Sequence, residues 1–293
     1  MRHAWLILTH GNFEILEKQL HFLDSKNADF YIHVDAKSEF NAERFLAVPK
    51  KSRITFVARH RISWGHFAMV EAELELLRAA VPGGYDYYHL LSGVDVPLKS
   101  REYIEEYFTR APGTNYVSFL SPEISRSDLY RVMFYYPLQR YNIRTPSVRR
   151  MLRNLTGAIQ LGFGVNRTRR LPDDFVFQKG SQWFSITHPL AQYLLEKEDE
   201  IRSIFSNTYC PDEMFLQTEI MNSPFCGTLP PAAFENNYAS CLRYIDWQRG
   251  NPYTFTDADL DELLAAPETA LFARKFDHRS SPGIVDALFD HFG

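Results

Sequence analysis

The stretch "HLLSGVDVPLKS", His89 to Ser100, decides the fold. An apolar run from Tyr87 to Leu91 reads as a buried strand. It ends in Ser92-Gly93, then a single acid, Asp95, and a Val96-Pro97 pair that stops it. A strand closed by small and acidic residues suits a sheet whose ligands gather beyond the C-terminal strand ends. Asp95 stands alone. One carboxylate supplies too few oxygen ligands for Mg²⁺ or Mn²⁺, so Asp95 is a depleted metal site, a substrate contact or a turn.

Upstream, Trp5 to Thr9 reads as a buried strand, and His10-Gly11-Asn12 as a turn with Asn12 as N-cap. Phe13, Leu16, Leu20 and Leu23 follow at helical spacing. Phe30 to Val34 and Ile54 to Ala58 are two more strands, the first ended by Asp35. Phe67, Val70, Leu74 and Leu77 mark a second helix, stopped before Pro82-Gly83-Gly84. This alternation predicts an α/β fold with a mostly parallel central sheet flanked by helices. Polar clusters end four strands: Thr9-His10, His33 to Asp35, Arg61 to Trp64, and Ser92 to Asp95. Neither a G-x-G-x-x-G nor a P-loop pattern follows the first strand, which disfavours dinucleotide oxidoreductases and P-loop enzymes.

The chain of 293 residues is read as one domain, 1–293, with an Arg-rich inserted helix or loop at about 135 to 175. Its net charge of -4 does not suggest a nucleic-acid binder. Eight arginines nevertheless fall between Arg140 and Arg170 with no acid among them. That segment is either a solvated face or a basic patch for a membrane surface or an anionic acceptor. Three cysteines without C-x-x-C spacing fit a reduced compartment. The apolar run Ala4 to Thr9 is too short for a signal segment, and no stretch approaches a membrane span. The expected location is cytoplasmic, with peripheral contact at the inner membrane face through Arg140–Arg170.

The second half carries more chemistry. "KGSQWFSITHPLAQYL", from Lys179, reads as a turn, a short strand and a helix with Pro189 in its first turn. In "CPDEMFLQT", Pro211 opens a helix and places Asp212 and Glu213 in its first turn, where free N–H groups favour carboxylates. In "FARKFD", strand geometry would point Arg274 and Lys275 to opposite faces. Asp257-Ala-Asp259 offers a second pair of acids, but "TFTDADLDELL" reads as a helix start with Thr256 as N-cap.

Together these stretches resemble the core-2/I-branching β-1,6-N-acetylglucosaminyltransferase family, shared with peptide O-xylosyltransferases. They run in family order: FYIHVDAKS, SWGHFAMVEAELELL, HLLSGVDVPLKS, KGSQWFSIT, CPDEMFLQT, NSPF, LRYIDW and FARKFD. The resemblance implies a GT-A-like, Rossmann-like fold, and the expected cytoplasmic location points to a bacterial member. It implies a UDP-sugar donor as substrate, inversion, and neither metal nor other cofactor. It carries the general base onto Glu213 and the cations facing the diphosphate onto Arg243 and Lys275. It carries donor contacts onto Leu8, His10, Asp35, Arg61 and Asp95, with Asp95 bonding sugar hydroxyls or orienting a cation. Arg61 stands where the family often has Tyr. Acceptor contacts fall on Trp183, Gln182 and Asp212. GlcNAc is the leading donor sugar, and xylosyl, galactosyl or glucosyl transfer, or a non-catalytic glycan or nucleotide binder, are the alternatives. The acceptor is a glycan or lipid-linked oligosaccharide.

Overall fold

The structure, a computed structural model, describes residues 1–293 except 142–144 and 237, and does not extend to the side chains at 140, 146 and 149. Among the described residues nine strands form two sheets. They are β1 (His3–Thr9), β2 (Ala28–Val34), β3 (Ile54–Phe56), β4 (Tyr87–Ser92), β5 (Val96–Pro97), β6 (Tyr116–Phe119), β7 (Gly180–Thr187), β8 (Arg243–Ile245) and β9 (Phe272–Arg274). The main sheet has the order β3-β2-β1-β4-β7-β6. Its first four strands are parallel, as expected. β7 runs antiparallel to β4 and β6 antiparallel to β7, so β6 points the same way as β4. Their C-terminal ends therefore share one edge, with the start of β7.

Alternation along the strands sends side chains into two cores. Leu6, Leu8 and Leu90 join Val70, Leu74 and Leu77 of helix α3 (Ala68–Ala80). Trp5, Ile7 and Leu91 join Ile15 and Leu16 of α1 (Phe13–Phe22) and the C-terminal helix, Pro282–Phe292. Burial on both faces explains the unbroken apolar runs in the sequence. Asn12 does precede α1, but as a left-handed residue whose side chain makes no cap bond; its carbonyl accepts from Ile15 N at 3.0 Å instead. Asn tolerates that conformation.

Two glycines let chain ends approach at the shared edge. A Cβ on Gly93 would lie 2.4 Å from Thr9 Oγ1, and one on Gly180 would lie 1.9 Å from Ser118 O. The smaller sheet, β5-β9-β8, leans on the end of β4. Val96 pairs with Ala273, which sets Arg274 beside Asp95. The short α2 (Glu43–Leu46) precedes β3 and α4 (Arg101–Arg110) precedes β6, while the chain between β6 and β7 carries α5 (Arg126–Met133) and α6 (Pro146–Gly162) and spans the Arg-rich stretch.

Candidate active site

The first strand ends form one flank. Leu8 is buried, and its carbonyl accepts from Gly93 N at 2.9 Å. His10 is exposed just beyond it. Asp35 is buried; its Oδ1 accepts from Lys37 N at 2.9 Å and its Oδ2 lies 3.3 Å from Lys37 Nζ. Beneath it, His33 Nε2 accepts from His60 N at 2.9 Å, and burial lowers that imidazole's pKa to about 4. Arg61 is exposed, with no side-chain partner among the described residues.

The question posed by Asp95 has a structural answer. Its side chain is fully buried. Oδ2 accepts from Ser92 N at 3.0 Å and Oδ1 from Ser92 Oγ at 2.5 Å, closing the turn after β4. Oδ1 also lies 3.9 Å from Arg274 Nε. The expected contact with sugar hydroxyls is therefore blocked by burial, while the role of orienting a cation fits. The cation is Arg274. Its guanidinium sits 3.9 Å from the Trp183 ring centroid, and its Nε and Nη1 are buried without a hydrogen-bond partner. Burial lowers its pKa, opposed by Asp95. Trp183 thus lies under Arg274 in the core, which corrects the expectation that its face receives an acceptor sugar.

Arg243 is held by backbone carbonyls. It is buried, and it donates from Nη2 to Leu90 O at 2.8 Å and from Nη1 to Cys241 O at 3.0 Å. Those bonds tie the small sheet to β4 and occupy both Nη groups with backbone carbonyls. Lys275 follows β9, half-buried, with no side-chain partner among the described residues. Asp257 and Asp259 cap helices as expected. Thr256 and Asp259 form a capping box, and Asp257 Oδ1 accepts from Ile284 N at 2.7 Å. Among the described residues no three His, Cys, Asp or Glu side chains are grouped to hold a metal.

Glu213 lies across the edge, past the end of β6. Pro211–Glu213 is a single 3₁₀ turn rather than the opening of the longer helix, which begins at Phe215. Glu213 Oε2 accepts from Arg131 Nη1 of α5 at 2.7 Å, and Lys179 Nζ lies 4.0 Å away. Asp128 holds both cations, at 3.2 Å from Arg131 Nε and 3.1 Å from Lys179 Nζ. Burial opposes the Arg131 charge, but Glu213 and Asp128 outweigh it and raise its pKa. Glu213 Oε1 is left without a partner among the described residues, on a side chain 36% exposed. It borders a cavity of about 220 Å³ lined also by Arg131, Lys179, Ser181, Tyr238 and Trp247. Asp212 turns inward instead. Burial, then the Glu213 charge, raises its pKa to about 7. Gln182 donates to Glu73 Oε1 at 2.8 Å, and burial, then Asp212, pushes the Glu73 carboxyl well up. Gln182 thus holds Glu73, and Asp212 sets its charge beside that buried carboxyl, while both residues remain half-buried next to Glu213.

Sequence reading missed Arg131, Lys179, Asp128, Glu73 and Tyr238. No local pattern marks Arg131, which reaches Glu213 across 82 positions. Lys179 and Trp247 stood inside quoted motifs without a role. Trp247, 46% exposed, stacks on Tyr238 with centroids 6.0 Å apart. That pair joins the Glu213 cavity to a second one of about 520 Å³.

Known proteins resemble this chain at low identity over its whole length. Xylosyltransferase 2 of Canis lupus familiaris is 23% identical over 310 residues, covering 99% of this chain and 34% of that protein. Xylosyltransferase 1 of Homo sapiens is 22% identical over 307 residues, covering 98% and 30%. The chain thus spans about a third of the length of these relatives. The crystal structure of mannose-1-phosphate geranyltransferase from Thermus thermophilus aligns with 67% of this chain and 54% of its own at 13% identity, with a TM-score of 0.29, too low to bear on the site. The family model for the Core-2/I-Branching enzyme matches residues 3–263, so this chain belongs to the Core-2/I-Branching enzyme family.

Proposed function

We propose that the protein is an inverting glycosyltransferase that moves a sugar from a UDP-sugar to an acceptor hydroxyl in one displacement. The observation that carries this reading is Glu213, with one carboxylate oxygen fixed by Arg131 and the other free on the cavity at the strand-end edge. In the reaction, Oε1 takes the hydroxyl proton as the acceptor oxygen bonds to the anomeric carbon. The bond from that carbon to the UDP oxygen breaks, and its electron pair leaves with UDP. A base acting this way must sit about 3 Å from the hydroxyl. Charge builds on the departing diphosphate, and fixed cations stabilise it without reorganising. Lys275, and Arg274 through the Nη2 end of its guanidinium, are assigned that part in place of a metal. Leu8, His10 and Asp35 flank the nucleoside. The stacked Tyr238 and Trp247 give the acceptor an apolar wall.

GlcNAc is the first donor to test. The second reading, xylose, is favoured by the xylosyltransferase relatives. Calorimetric titration of UDP-GlcNAc and UDP-xylose, in EDTA and then with Mn²⁺, separates the two sugars. Binding seen only with Mn²⁺ would overturn the assignment of fixed cations. Glu213→Gln should lower transfer about 10²–10⁴-fold and leave UDP binding nearly intact. Transfer retained within about tenfold would remove Glu213 as the base.

A further inference from the structure

Helix α6 is turned inside out. Apart from Leu152, its inner side is polar or small: the Arg153 guanidinium lies 4.9 Å from the Tyr209 ring centroid, and Gln160 bonds the backbone N–H and carbonyl of Tyr135 at 2.8 and 2.9 Å. Gly157 faces Phe134. Val148, Met151, Leu155 and Ile159 form one stripe on the opposite side, all exposed, with Met151 at 60%. Leu161 is exposed too, and Phe163 just past the helix is 84% exposed. A surface helix normally buries its apolar stripe. A contiguous exposed stripe of this kind marks an interaction surface.

The stretch 141–172 holds seven arginines and no acid, so with a chain charge of -4 the remainder carries -11. Arg150 is exposed one position before Met151, about 100° round the helix from it, and Arg169 is exposed beyond the helix end. Arg167 and Arg170 are spent on backbone carbonyls, Arg167 Nη2 on Ile204 O and Arg170 Nη2 on Ser203 O, each at 2.8 Å. Arg144 and the side chains of Arg140 and Arg149 lie outside the description.

The geometry points to α6 as a peripheral anchor that lays its apolar stripe into an anionic lipid bilayer, with flanking arginines on the headgroups. An interfacial helix combines these two features, apolar side chains for the acyl boundary and cations for anionic lipid. A symmetric contact with a second copy would instead set arginines against arginines. No described helix is long and apolar enough to cross a membrane, so the contact lies in the interface plane. The inner side of α6 meets the site: Arg153 and Arg131 both lie over Tyr209, at 4.9 and 5.6 Å, and Arg131 holds Glu213. Docking would therefore bring the cleft to the membrane. The membrane contact itself does not depend on the transfer reaction.

Co-sedimentation with vesicles tests it, using phosphatidylcholine alone and phosphatidylcholine mixed with phosphatidylglycerol. The protein should sediment with the anionic vesicles and much less with the neutral ones. Arg150→Gln with Arg169→Gln should weaken binding roughly 25-fold at low salt, about fivefold per charge. Leu155→Glu with Ile159→Glu should abolish it while circular dichroism stays unchanged. Phe163→Ser, past the helix end, should weaken binding measurably and serves if the helix variant does not fold. Sedimentation with neither vesicle, equal sedimentation with both, or binding untouched by the apolar substitutions would overturn the proposal. So would a dimer that Leu155→Glu converts to monomer, which would make a second copy the occupant.

Discussion

Two arginines stand side by side in the core, and their bonding predicts opposite consequences when each is replaced by Met. Arg243 spends its donors well, on Leu90 O at 2.8 Å and Cys241 O at 3.0 Å. Hydrogen bonds to a charged group are worth about 1.5–3 kcal/mol each, so Arg243→Met forfeits about 3–6 kcal/mol and leaves two carbonyls bare. Relief of its unpaired Nε offsets about 1–3 kcal/mol of this. A net loss of about 3 kcal/mol follows. Arg274 makes no hydrogen bond with Nε or Nη1. Two buried orphan donors cost about 1–3 kcal/mol each, and Arg274→Met removes that cost. Against it stand the contact with Trp183, about 2 kcal/mol, and attraction to Asp95, about 4 kcal/mol at an effective dielectric of 20. The relief, about 2–6 kcal/mol, at its midpoint offsets most of that loss of about 6 kcal/mol, and Asp95 keeps its bonds from Ser92. Arg274→Met should therefore change unfolding free energy by less than about 2 kcal/mol. It should weaken UDP about ten- to hundredfold, the worth of one charged hydrogen bond. Urea unfolding followed by tryptophan fluorescence, with calorimetric titration of UDP, reads both quantities. If Arg274→Met costs as much stability as Arg243→Met, or binds UDP within twofold of wild type, then Arg274 is a structural partner of Asp95 and the cation assignment fails.

Asp212 makes stability pH-dependent. Its folded pKa, about 7, exceeds its ordinary value of 3.8, so the folded state binds the extra proton between those values and stability falls as pH rises through that window. Thermal melts of Asp212→Asn should lose part of the decline between pH 4 and 7; an unchanged slope would mean that this carboxyl ionises freely. Asp259→Ala should cost about 1 kcal/mol through the lost capping box and leave UDP binding the same with or without Mn²⁺. A loss of Mn²⁺-dependent binding would return these acids to a metal role. Gly65→Ala forces a side chain onto φ 74° and 3.2 Å from Cys210 Sγ, so it should cost about 1–2 kcal/mol and lower transfer more than UDP affinity. Equal loss of both would place Gly65 outside the positioning of Glu213.

What the sequence made legible was whatever has a local cause. Apolar runs located β1, β2 and β4 because strands buried on both faces leave no alternation to misread. Thr256 announced its cap because the capping box spans three residues. The cations of the site were legible only as candidates. Alternation says that Arg274 and Lys275 diverge, but which one turns toward Asp95 is fixed by the Val96–Ala273 pairing between distant strands. The bonding of Arg243 was not legible because its partner, Leu90 O, lies 153 positions away. The arginine run was visible as a count, while the outward turn of α6 depends on what Tyr135 and Tyr209 offer its inner side.

Tertiary geometry also explains why two stretches that seemed unrelated, Ser63-Trp64-Gly65 and Cys210-Pro211-Asp212-Glu213, serve one site. Cys210 is left-handed, at φ 49°, a conformation costing about 1–2 kcal/mol for a residue with a Cβ. Its N–H donates to Gly65 O at 3.0 Å, and Tyr209 packs edge-on against Trp64 at 5.6 Å. Gly65 itself sits at φ 74° just ahead of α3, and so presents that carbonyl without a side chain in the way. The turn bearing Glu213 is thus clamped from the α3 side by a glycine and from the α5 side by Arg131. Pro211 fixes the first residue of that turn and removes an N–H that would need a partner. With its backbone held on one side and Oε2 on the other, Glu213 has little freedom left except to present Oε1 to the cavity. The base proposed for the transfer needs that geometry first. The strain at Cys210 is therefore best understood as the cost of aiming a carboxylate, which is why it lies beside the site rather than elsewhere in the fold.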